Sequence, residues 1–225
     1  MMSEEIPVRL KLSNASIGFE QGNPLIEEID LEIKAGEIVG LTGRSGIGKT
    51  TLLRTAAGLV RPLSGSVECC CTADNRAEKG AIGLIPQRLG LVQHQTVGYN
   101  VLMGALAEAN FLQTALSLPS KKMREETRSV IEEVGLADKT LDSVNRLSGG
   151  QQRRVAIARA LVTEPKLLLA DEPTGNLDEQ SSQSVLEQML TLVAETNTAL
   201  MVVTHSRNVA ARMDKQLQLI GGQLR

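Results

Sequence analysis

The chain has 225 residues, 42% of them hydrophobic, which is enough for one large domain or for a core with a smaller lobe. Lys and Arg number 24 and Asp and Glu 26, and the net charge of −2 gives no support for broad nucleic-acid binding, which favours a basic surface. The acidic N-terminal segment lacks the apolar core of a signal peptide, and no apolar run reaches the ~20 residues needed to span a bilayer. We therefore expect a soluble, cytoplasmic protein that works at a membrane only through a partner.

Apolar strands alternate with helices along most of the chain. We predict strands over residues 37–43, 65–71, 81–85, 166–170, 198–204 and 216–222, and helices over residues 49–59, 97–110, 120–136, 150–161 and 179–197. This alternation indicates an α/β fold with a largely parallel sheet covered on both sides. Residues 88–162 carry helices without an evident strand, so we expect a helical lobe inserted in the sheet.

The three cysteines are consecutive, Cys69 to Cys71, in one of the predicted strands. Neighbours in a strand point to opposite faces, so we expect Cys69 and Cys71 on one face and Cys70 on the other. An odd, clustered number suits a reducing compartment, and no second Cys or His cluster completes a metal site. We expect small, buried or half-buried side chains and assign them no function.

The segment GRSGIGKT, residues 43–50, follows an apolar strand and opens a helix. It matches the phosphate-binding pattern G-x-x-x-x-G-K-[ST], in which glycines let backbone N–H groups surround phosphate oxygens. Lys49 then supplies a charge to the β- and γ-phosphates, and the Thr50 hydroxyl binds Mg²⁺. A glycine-rich turn without a ligand is the alternative. The predicted nucleotide-binding residues around this P-loop are Gly43, Arg44, Ser45, Gly46, Ile47, Gly48, Lys49, Thr50 and Thr51.

A second apolar strand, KLLLA, is followed directly by Asp171 and Glu172. Asp171 is placed to hold Mg²⁺ through water, since this ion keeps much of its hydration shell. Glu172 lies one residue further, at the strand tip, where a carboxylate can orient or deprotonate an attacking water. Two acids that only cap the next turn are the alternative. Beside a P-loop, the pair predicts hydrolysis of the nucleotide rather than binding alone.

Ser148, Gly149 and Gly150 stand directly in front of a helical run. Ser148 fits an ordinary N-cap, worth ~1 kcal/mol. Two glycines in the first turn fit that interpretation badly, because each costs up to ~1 kcal/mol relative to alanine. Glycine is used where something approaches the backbone closely, and bare N–H groups at a helix N-terminus attract anions. The segment therefore predicts a second anion site.

In this order and spacing, the motifs resemble those of the nucleotide-binding subunits of ABC (ATP-binding cassette) transporters, over essentially the whole chain. The matching motifs are GRSGIGKT at 43–50, GLIPQ ending at Gln87, LSGGQ at 147–151, LLLADE at 167–172, GNLD at 175–178 and VTH at 203–205. The resemblance implies one ABC ATPase domain, residues 1–225, with a P-loop NTPase (RecA-like) core of largely parallel sheet, a small antiparallel β part and an inserted helical subdomain. The core covers about residues 1–87 and 163–225, and the helical subdomain about residues 88–162.

The resemblance also implies roles for single residues. Gln87 would touch Mg²⁺ or the lytic water, although a polar residue that merely closes a strand is the alternative. His205 would contact the γ-phosphate, so that Glu172, His205 and Gln87 form the catalytic set. The implied metal set is Thr50, Gln87 and Asp171. Phe19 lies where the family usually has an aromatic ring stacked on adenine, with a core position at a strand end as the alternative.

Cassettes of this family pack head to tail in dimers, so the resemblance implies that the ligand of the second anion site is a phosphate bound by the other chain. The LSGGQ segment of one chain faces the γ-phosphate on the P-loop of the other, and its binding residues here are Ser148, Gly149, Gly150 and Gln151. Asp178 matches the aspartate that organises this interface. It also fits an N-cap for the helix beginning near Glu179, and the two roles are compatible.

The implied function is an ATPase that uses ATP and Mg²⁺, pairs with a second copy or a homologous subunit, and drives separate membrane permease subunits. It would lie on the cytoplasmic face of the inner or plasma membrane. A soluble ABC-type mechanical ATPase without a permease is the alternative. LADEPTGNLD is similar to lipoprotein-releasing, macrolide-efflux and cell-division subunits, whereas TVGYNVLMGALAEANFLQTALSLP is similar to phosphonate importers. These two signals disagree about the transported substrate and its direction.

Overall fold

The computed structural model describes residues 6–20, 22–70, 79–106 and 119–225. Within these residues the strands are β1 (Val8–Ile17), β2 (Ile26–Lys34), β3 (Ile38–Gly43), β4 (Ser64–Cys69), β5 (Ile82–Ile85), β6 (Leu167–Asp171), β7 (Ala199–Val203), β8 (Lys215–Ile220) and β9 (Gln223–Leu224). The helices are α1 (Lys49–Ala56), α2 (Val97–Ala105), α3 (Lys121–Glu133), α4 (Gly149–Leu161), α5 (Glu179–Glu195) and α6 (Arg207–Ala210).

A six-stranded sheet in the order β5-β6-β7-β3-β8-β9 forms the centre of the molecule. All its pairings are parallel except the terminal β8–β9 pair. Every residue of β6 and β7 is buried, because side chains of alternating direction enter two different cores. In β6, Leu167 and Leu169 join one apolar cluster while Leu168 and Ala170 join the other. The predicted α/β fold with a largely parallel, doubly covered sheet is confirmed.

A second, antiparallel sheet has the order β2-β1-β4. The spacing of buried residues in β1 changes at Asn14, where the backbone has a φ of 45° and the register with β2 shifts. Leu10 and Leu12 are buried before this irregularity, and Ala15 and Ile17 after it. This sheet packs its apolar face with α1 and with one side of the parallel sheet.

Between β5 and β6, the described residues form α2, α3, α4 and two short 3-10 turns, with no named strand. Each long helix starts at a hydroxyl N-cap: Thr96 for α2, Ser120 for α3 and Ser148 for α4. α2 packs tightly on α4, since a Cβ added at Gly104 would collide with the carbonyl of Arg159. Residues 107–110 of the predicted helix 97–110 lie outside the described residues.

The cysteines depart from the predicted alternation. β4 ends at Cys69, and Cys70 has a left-handed φ of 43°, so the period-two pattern stops between them. Both side chains are buried, with their Sγ atoms 3.9 Å apart. Cys71 lies outside the described residues. Burial of the first two is confirmed, but their placement on opposite strand faces is wrong.

In the described parts of the chain, every helix is too short or too polar to cross a bilayer.

Candidate nucleotide-binding site

The P-loop connects β3 to α1 and curls around the Lys49 side chain. The Lys49 ammonium donates to the carbonyl oxygens of Gly43 and Arg44, at 2.8 and 2.9 Å, and the residue is buried. Gly48 has a left-handed φ of 110°, and a Cβ there would press on Ile26 at 3.2 Å. Only glycine suits this position, which explains its place in the motif. The loop thus holds a fixed cation beside the first turn of a helix, an arrangement that suits phosphate.

Asp171, the last residue of β6, reaches the first turn of α1. The Thr50 hydroxyl donates to its Oδ2 at 2.9 Å. Burial raises the pKa of Asp171, and the hydrogen bond from Thr50 opposes this rise. A hydroxyl and a carboxylate that converge in this way fit Mg²⁺, which accepts one or two protein oxygens beside phosphate and water. The site residues present therefore suit Mg-ATP.

Glu172 follows directly, and its backbone is left-handed, with a φ of 50°. For a residue other than glycine such strain costs of order 1–3 kcal/mol. The Glu172 carboxylate accepts from the Thr204 hydroxyl at 3.2 Å, and its other oxygen lies 2.8 Å from His205 Nδ1. The Glu172 side chain is only 11% exposed, whereas that of His205 is 74% exposed. Because β6 and β7 are neighbours in the sheet, their tips bring these two predicted catalytic residues into contact.

One cleft of about 210 Å³ contains six of the nine predicted P-loop residues, together with Phe19 and the predicted catalytic and metal residues other than His205. This cleft, called here the P-loop cleft, is lined by Phe19, Leu25, Ser45, Gly46, Gly48, Lys49, Thr50, Thr51, Gln87, Asp171 and Glu172. Phe19 is 73% exposed at its edge, so the alternative of a core position does not describe it. Gly43, Arg44, Ile47 and His205 do not line this cleft.

Three of the LSGGQ residues, but not Gly149, line a different cleft of about 310 Å³, which shares no lining residue with the P-loop cleft. This signature cleft includes Ser148, Gly150, Gln151 and Ser181. The Ser148 hydroxyl accepts from the Gln151 N–H at 3.3 Å, and the Gln151 side chain accepts from the Ser148 N–H at 3.0 Å. Ser148 is therefore an N-cap in a complete capping box. Within one chain, the two predicted anion sites are separate.

Asp178 caps the next helix on the same side. Its Oδ1 accepts from the Ser181 N–H at 2.8 Å, and α5 begins directly after it. Hydrogen bonds from Ser181 hold the pKa of Asp178 below its usual value. The N-cap alternative for Asp178 is confirmed by this geometry, and the exposed position leaves its dimer role as a prediction.

Sequence reasoning missed Arg153, a buried arginine on α4. Its guanidinium donates to the carbonyl of Glu172 at 3.0 Å and to that of Gly175. Burial lowers the pKa of Arg153, and the Glu172 charge opposes this effect. The sequence did carry a signal, because Arg153, Ile157 and Ala160 are spaced i, i+4, i+7 on one buried helix face.

Comparisons with known proteins identify the family of the chain. The profile of the ABC transporter family matches residues 26–175. The lipoprotein-releasing system ATP-binding protein LolD of Hydrogenovibrio crunogenus is 40% identical over 95% of this chain and 94% of its own length. The LolD of Rickettsia bellii is 37% identical over 96% of each chain.

Solved structures show the same fold. The ATP-binding cassette MJ0796, solved as a dimer in a post-hydrolysis state with ADP and phosphate, superposes with a TM-score of 0.80. It is 28% identical, and the match covers 96% of each chain. The family profile spans the P-loop, the end of β6 and the LSGGQ helix, and the relatives and the solved cassette match almost the whole chain. The chain therefore belongs to the ABC transporter family, and it is an ATP-hydrolysing subunit.

Proposed function

We propose that the P-loop cleft hydrolyses Mg-ATP with Glu172 as the general base. The observation that supports this most directly is the position of Asp171 and Glu172 at the tip of β6. Asp171 contacts the P-loop hydroxyl of Thr50, and Glu172 contacts His205 at the tip of the neighbouring strand. One carboxylate thus reaches the metal side of the cleft, while the other lies where an attacking water would need a base.

Each remaining residue has a definite task in this proposal. Mg²⁺ would neutralise charge on the phosphate oxygens, held by Thr50 and Asp171. Lys49 stabilises the β- and γ-phosphates from the enclosed P-loop position, and Phe19 offers its exposed ring to the adenine. Gln87 is exposed on the same cleft, where its amide can contact the water or the metal.

Glu172 also borders a cavity of about 520 Å³, which it shares with His205 and Thr204. His205 does not line the P-loop cleft itself. His205 and Thr204 hold the Glu172 carboxylate. A contact between His205 and the γ-phosphate therefore requires the ring to turn toward the P-loop cleft. We assign His205 the task of orienting Glu172 and the phosphate.

The second anion site assigns a dimer to the working molecule. Ser148, Gly149, Gly150 and Gln151 lie apart from the P-loop cleft of their own chain, so they bind the nucleotide of a second chain packed head to tail. Among the described residues outside the helix backbone, a Cβ at Gly149 would press on Leu177 at 3.2 Å, whereas one at Gly150 would meet only Ser181 at 3.8 Å. Packing therefore does not explain the glycine at position 150, and its bare backbone suits an approaching phosphate.

The division of the chain follows the same proposal. The catalytic core is about residues 1–87 and 163–225, and the helical subdomain is about residues 88–162. The described helices between β5 and β6 support this division. Their apolar side chains continue into the cluster on one side of the parallel sheet, so the subdomain is packed on the core.

The cellular role is that of the energy-supplying subunit of a transporter. Separate membrane subunits bind the substrate, and this chain acts on the cytoplasmic face of the inner membrane. The relatives favour this role over a mechanical ATPase without a permease, because several LolD proteins match over at least 90% of the chain. They also favour lipoprotein release over phosphonate import as the transported class. The GNLD-containing segment supports the same choice.

The test of the catalytic proposal is the Glu172→Gln variant. We expect ATP binding to persist and turnover to fall by ~10²–10⁴, the scale of a removed general base. Lys49→Ala should instead weaken nucleotide binding, which calorimetry measures directly. Glu164 is a matched control, since it is also a glutamate with a left-handed φ, 45°, but is exposed and lies outside the P-loop cleft. Near wild-type turnover of Glu172→Gln would contradict the assignment.

The test of the transported class is genetic complementation. A strain depleted of its own LolD should regain lipoprotein release with this chain, provided that its membrane subunits accept it. The Glu172→Gln variant should fail in the same strain. If the chain instead rescues a phosphonate-import defect and not LolD depletion, the proposed class is wrong while the ATPase assignment is unaffected.

A further inference from the structure

The turn that carries Glu172 is held by a side chain from the LSGGQ helix. Arg153 lies on α4, five residues after Ser148, and is buried. Its two terminal nitrogens donate to the carbonyls of Glu172 and Gly175, which are the first and last residues of one turn. The Glu172 carbonyl also accepts from the Gly175 N–H at 3.0 Å. Arg153 therefore closes a turn whose first residue is strained.

The chemistry of arginine suits this task. The guanidinium is a planar fork with fixed donor directions, so it can grip two carbonyls at once, which an ammonium cannot. Burying a guanidinium costs free energy unless its N–H groups donate hydrogen bonds. The burial of Arg153 is therefore explained by its hydrogen bonds and not by packing of its side chain alone. The contact is with the backbone of Glu172, and it leaves the carboxylate free for His205 and Thr204.

We propose that Arg153 is a positioning residue for Glu172: it fixes the turn of residues 172–175 and ties the Glu172 carboxylate to the LSGGQ helix of the same chain. The proposal rests on the proposed role of Glu172 as general base. It has a consequence for the dimer. The LSGGQ segment of one chain contacts the nucleotide of the partner, so α4 links the occupancy of one composite site to the base of the other.

The first experiment compares steady-state ATP hydrolysis of Arg153→Gln and Arg153→Lys with the unmodified chain. We expect kcat to fall by about 10- to 100-fold in Arg153→Gln, the scale of a small misplacement of a catalytic group, with KM for ATP unchanged. Arg153→Lys should recover little, because it keeps the charge without the fork. The Hill coefficient for ATP should drop toward one in both variants.

Asn100 supplies the control for destabilisation alone. It is buried on α2 and also donates to two carbonyls, those of Val92 and Thr96, but contacts neither Glu172 nor the P-loop. Asn100→Ala should lower the melting temperature and leave kcat per folded molecule unchanged. If Arg153→Gln behaves like Asn100→Ala, Arg153 has only a structural role and the proposal is overturned.

A double variant separates this proposal from that of the base itself. In a Glu172→Gln background, Arg153→Gln should cause no further loss of turnover, because the group that it positions is already absent. Multiplying losses would show that Arg153 acts by another route and would refute the proposal. If Glu172→Gln alone retains full turnover, the general-base assignment fails independently of any result on Arg153.

Mixed dimers decide which site Arg153 serves. When Lys49→Ala and Arg153→Gln are on the same chain, the surviving site combines the unmodified P-loop and Glu172 with the variant LSGGQ helix. It should hydrolyse ATP at the rate of a dimer carrying Lys49→Ala alone in one chain. When the two changes are on different chains, the surviving site uses the P-loop and Glu172 of the chain that carries Arg153→Gln. Its rate should fall about 10- to 100-fold, because Arg153 no longer fixes that Glu172. The reverse pattern would place the effect of Arg153 in the LSGGQ segment and overturn the proposal.

Discussion

At the scale of single residues, the site depends on charges held where water would otherwise solvate them. Lys49 is surrounded by P-loop carbonyls, and Asp171 is buried against Thr50. A buried carboxylate prefers its neutral form, and the raised pKa of Asp171 expresses this preference. Without nucleotide, the ionised group is a cost to the fold at neutral pH. In the proposed site, the same charge would serve as a ligand for Mg²⁺.

The first prediction uses this cost. The native pKa of Asp171 is raised, so its ionisation destabilises the fold at neutral pH, and the penalty vanishes as the pH falls below the ordinary value of about 3.9. Asp171→Asn should therefore raise the melting temperature of the nucleotide-free protein at pH 7, and the gain should shrink at lower pH. The amide oxygen can still accept from Thr50.

The same variant should lose the stabilisation by Mg-ATP, which normally grows with ligand concentration as the native state is occupied. Thermal melts at pH 7 and pH 5, with and without Mg-ATP, measure both effects. A full Mg-ATP shift in Asp171→Asn would exclude Asp171 as the metal residue. A lower melting temperature without nucleotide would show that its negative charge is stabilising.

At the scale of elements, helix N-termini serve both stability and function. α4 starts with the capping box of Ser148 and Gln151, and α5 starts with Asp178. An acceptor at these positions satisfies N–H groups that the helix itself leaves open, and a negative one also complements the helix dipole. Asp178 accepts from the Ser181 N–H, and Ser181 lines the signature cleft together with Ser148. The N-termini of α4 and α5 therefore border the same cleft.

The second prediction separates the two roles of Asp178. Asp178→Asn keeps an oxygen that accepts from Ser181, whereas Asp178→Ala removes the cap. We expect the melting temperature to fall in the alanine variant and to stay near that of the unmodified chain in the asparagine variant. Both variants should lose ATP-dependent dimerisation, measured by size-exclusion chromatography, if the carboxylate organises the interface as predicted. Normal dimerisation of Asp178→Asn would reduce Asp178 to a cap.

The pH dependence of this cap follows from its lowered pKa. Because the native carboxyl is more acidic than the unfolded one, its ionised form stabilises the fold at pH values above the ordinary value of about 3.9. That contribution is lost as the pH falls through the lower native pKa. The difference in melting temperature between Asp178→Ala and the unmodified chain should therefore narrow in strong acid, where only the neutral acceptor oxygen of Asp178 remains.

At the scale of the whole molecule, one chain has two separate clefts, and we propose that each is one half of a nucleotide site. The P-loop cleft carries the catalytic carboxylates, and the signature cleft carries the LSGGQ residues. In the proposed head-to-tail dimer, each P-loop cleft meets the partner's signature cleft. ATP would then close the pair and hydrolysis would open it, and the membrane subunits would use this motion.

The third prediction tests this arrangement with Ser148→Arg. The lost cap should cost about 1 kcal/mol of stability, while the bulky side chain should block closure on the partner's phosphate. We expect one ATP to bind per chain, with loss of hydrolysis and of ATP-dependent dimerisation. Ser120 offers a matched control, since it caps α3 in the same way by accepting from Met123 at 3.1 Å. Ser120→Arg should lose a similar stability and keep its activity.

A mixture of Ser148→Arg and Lys49→Ala chains sharpens the outcome. One composite site of their mixed dimer holds both changes, and the other pairs an unmodified P-loop with an unmodified LSGGQ segment. ATP-driven association restored by mixing would have to come from that intact site, and light scattering detects it. A folded Ser148→Arg protein that dimerises and hydrolyses ATP normally would exclude the head-to-tail dimer.

The sequence by itself determined the family and supplied most of the proposed site residues, because short motifs carry local chemistry that needs no distant partner. A P-loop forms from its own glycines, and buried parallel strands are recognisable as apolar runs, such as the one in β6, residues 167–171, that ends at Asp171. The sequence did not predict β1, in which the buried side chains alternate regularly only up to the irregularity at Asn14. It also did not predict that the strand ends between Cys69 and Cys70. In both cases the backbone leaves the regular period, so a pattern search loses the signal.

Only the tertiary structure decided which distant groups meet. Glu172 and His205 are brought together because β6 and β7 are adjacent in the sheet, an order that sequence does not specify. In the sequence, Arg153 looks like an ordinary charged residue on the surface of a helix. Only the packing of α4 brings its guanidinium to the Glu172 carbonyl. The separation of the two clefts is likewise a property of the folded chain. Contacts between residues far apart in sequence depend on packing, and their physical consequences become visible only when the elements are assembled.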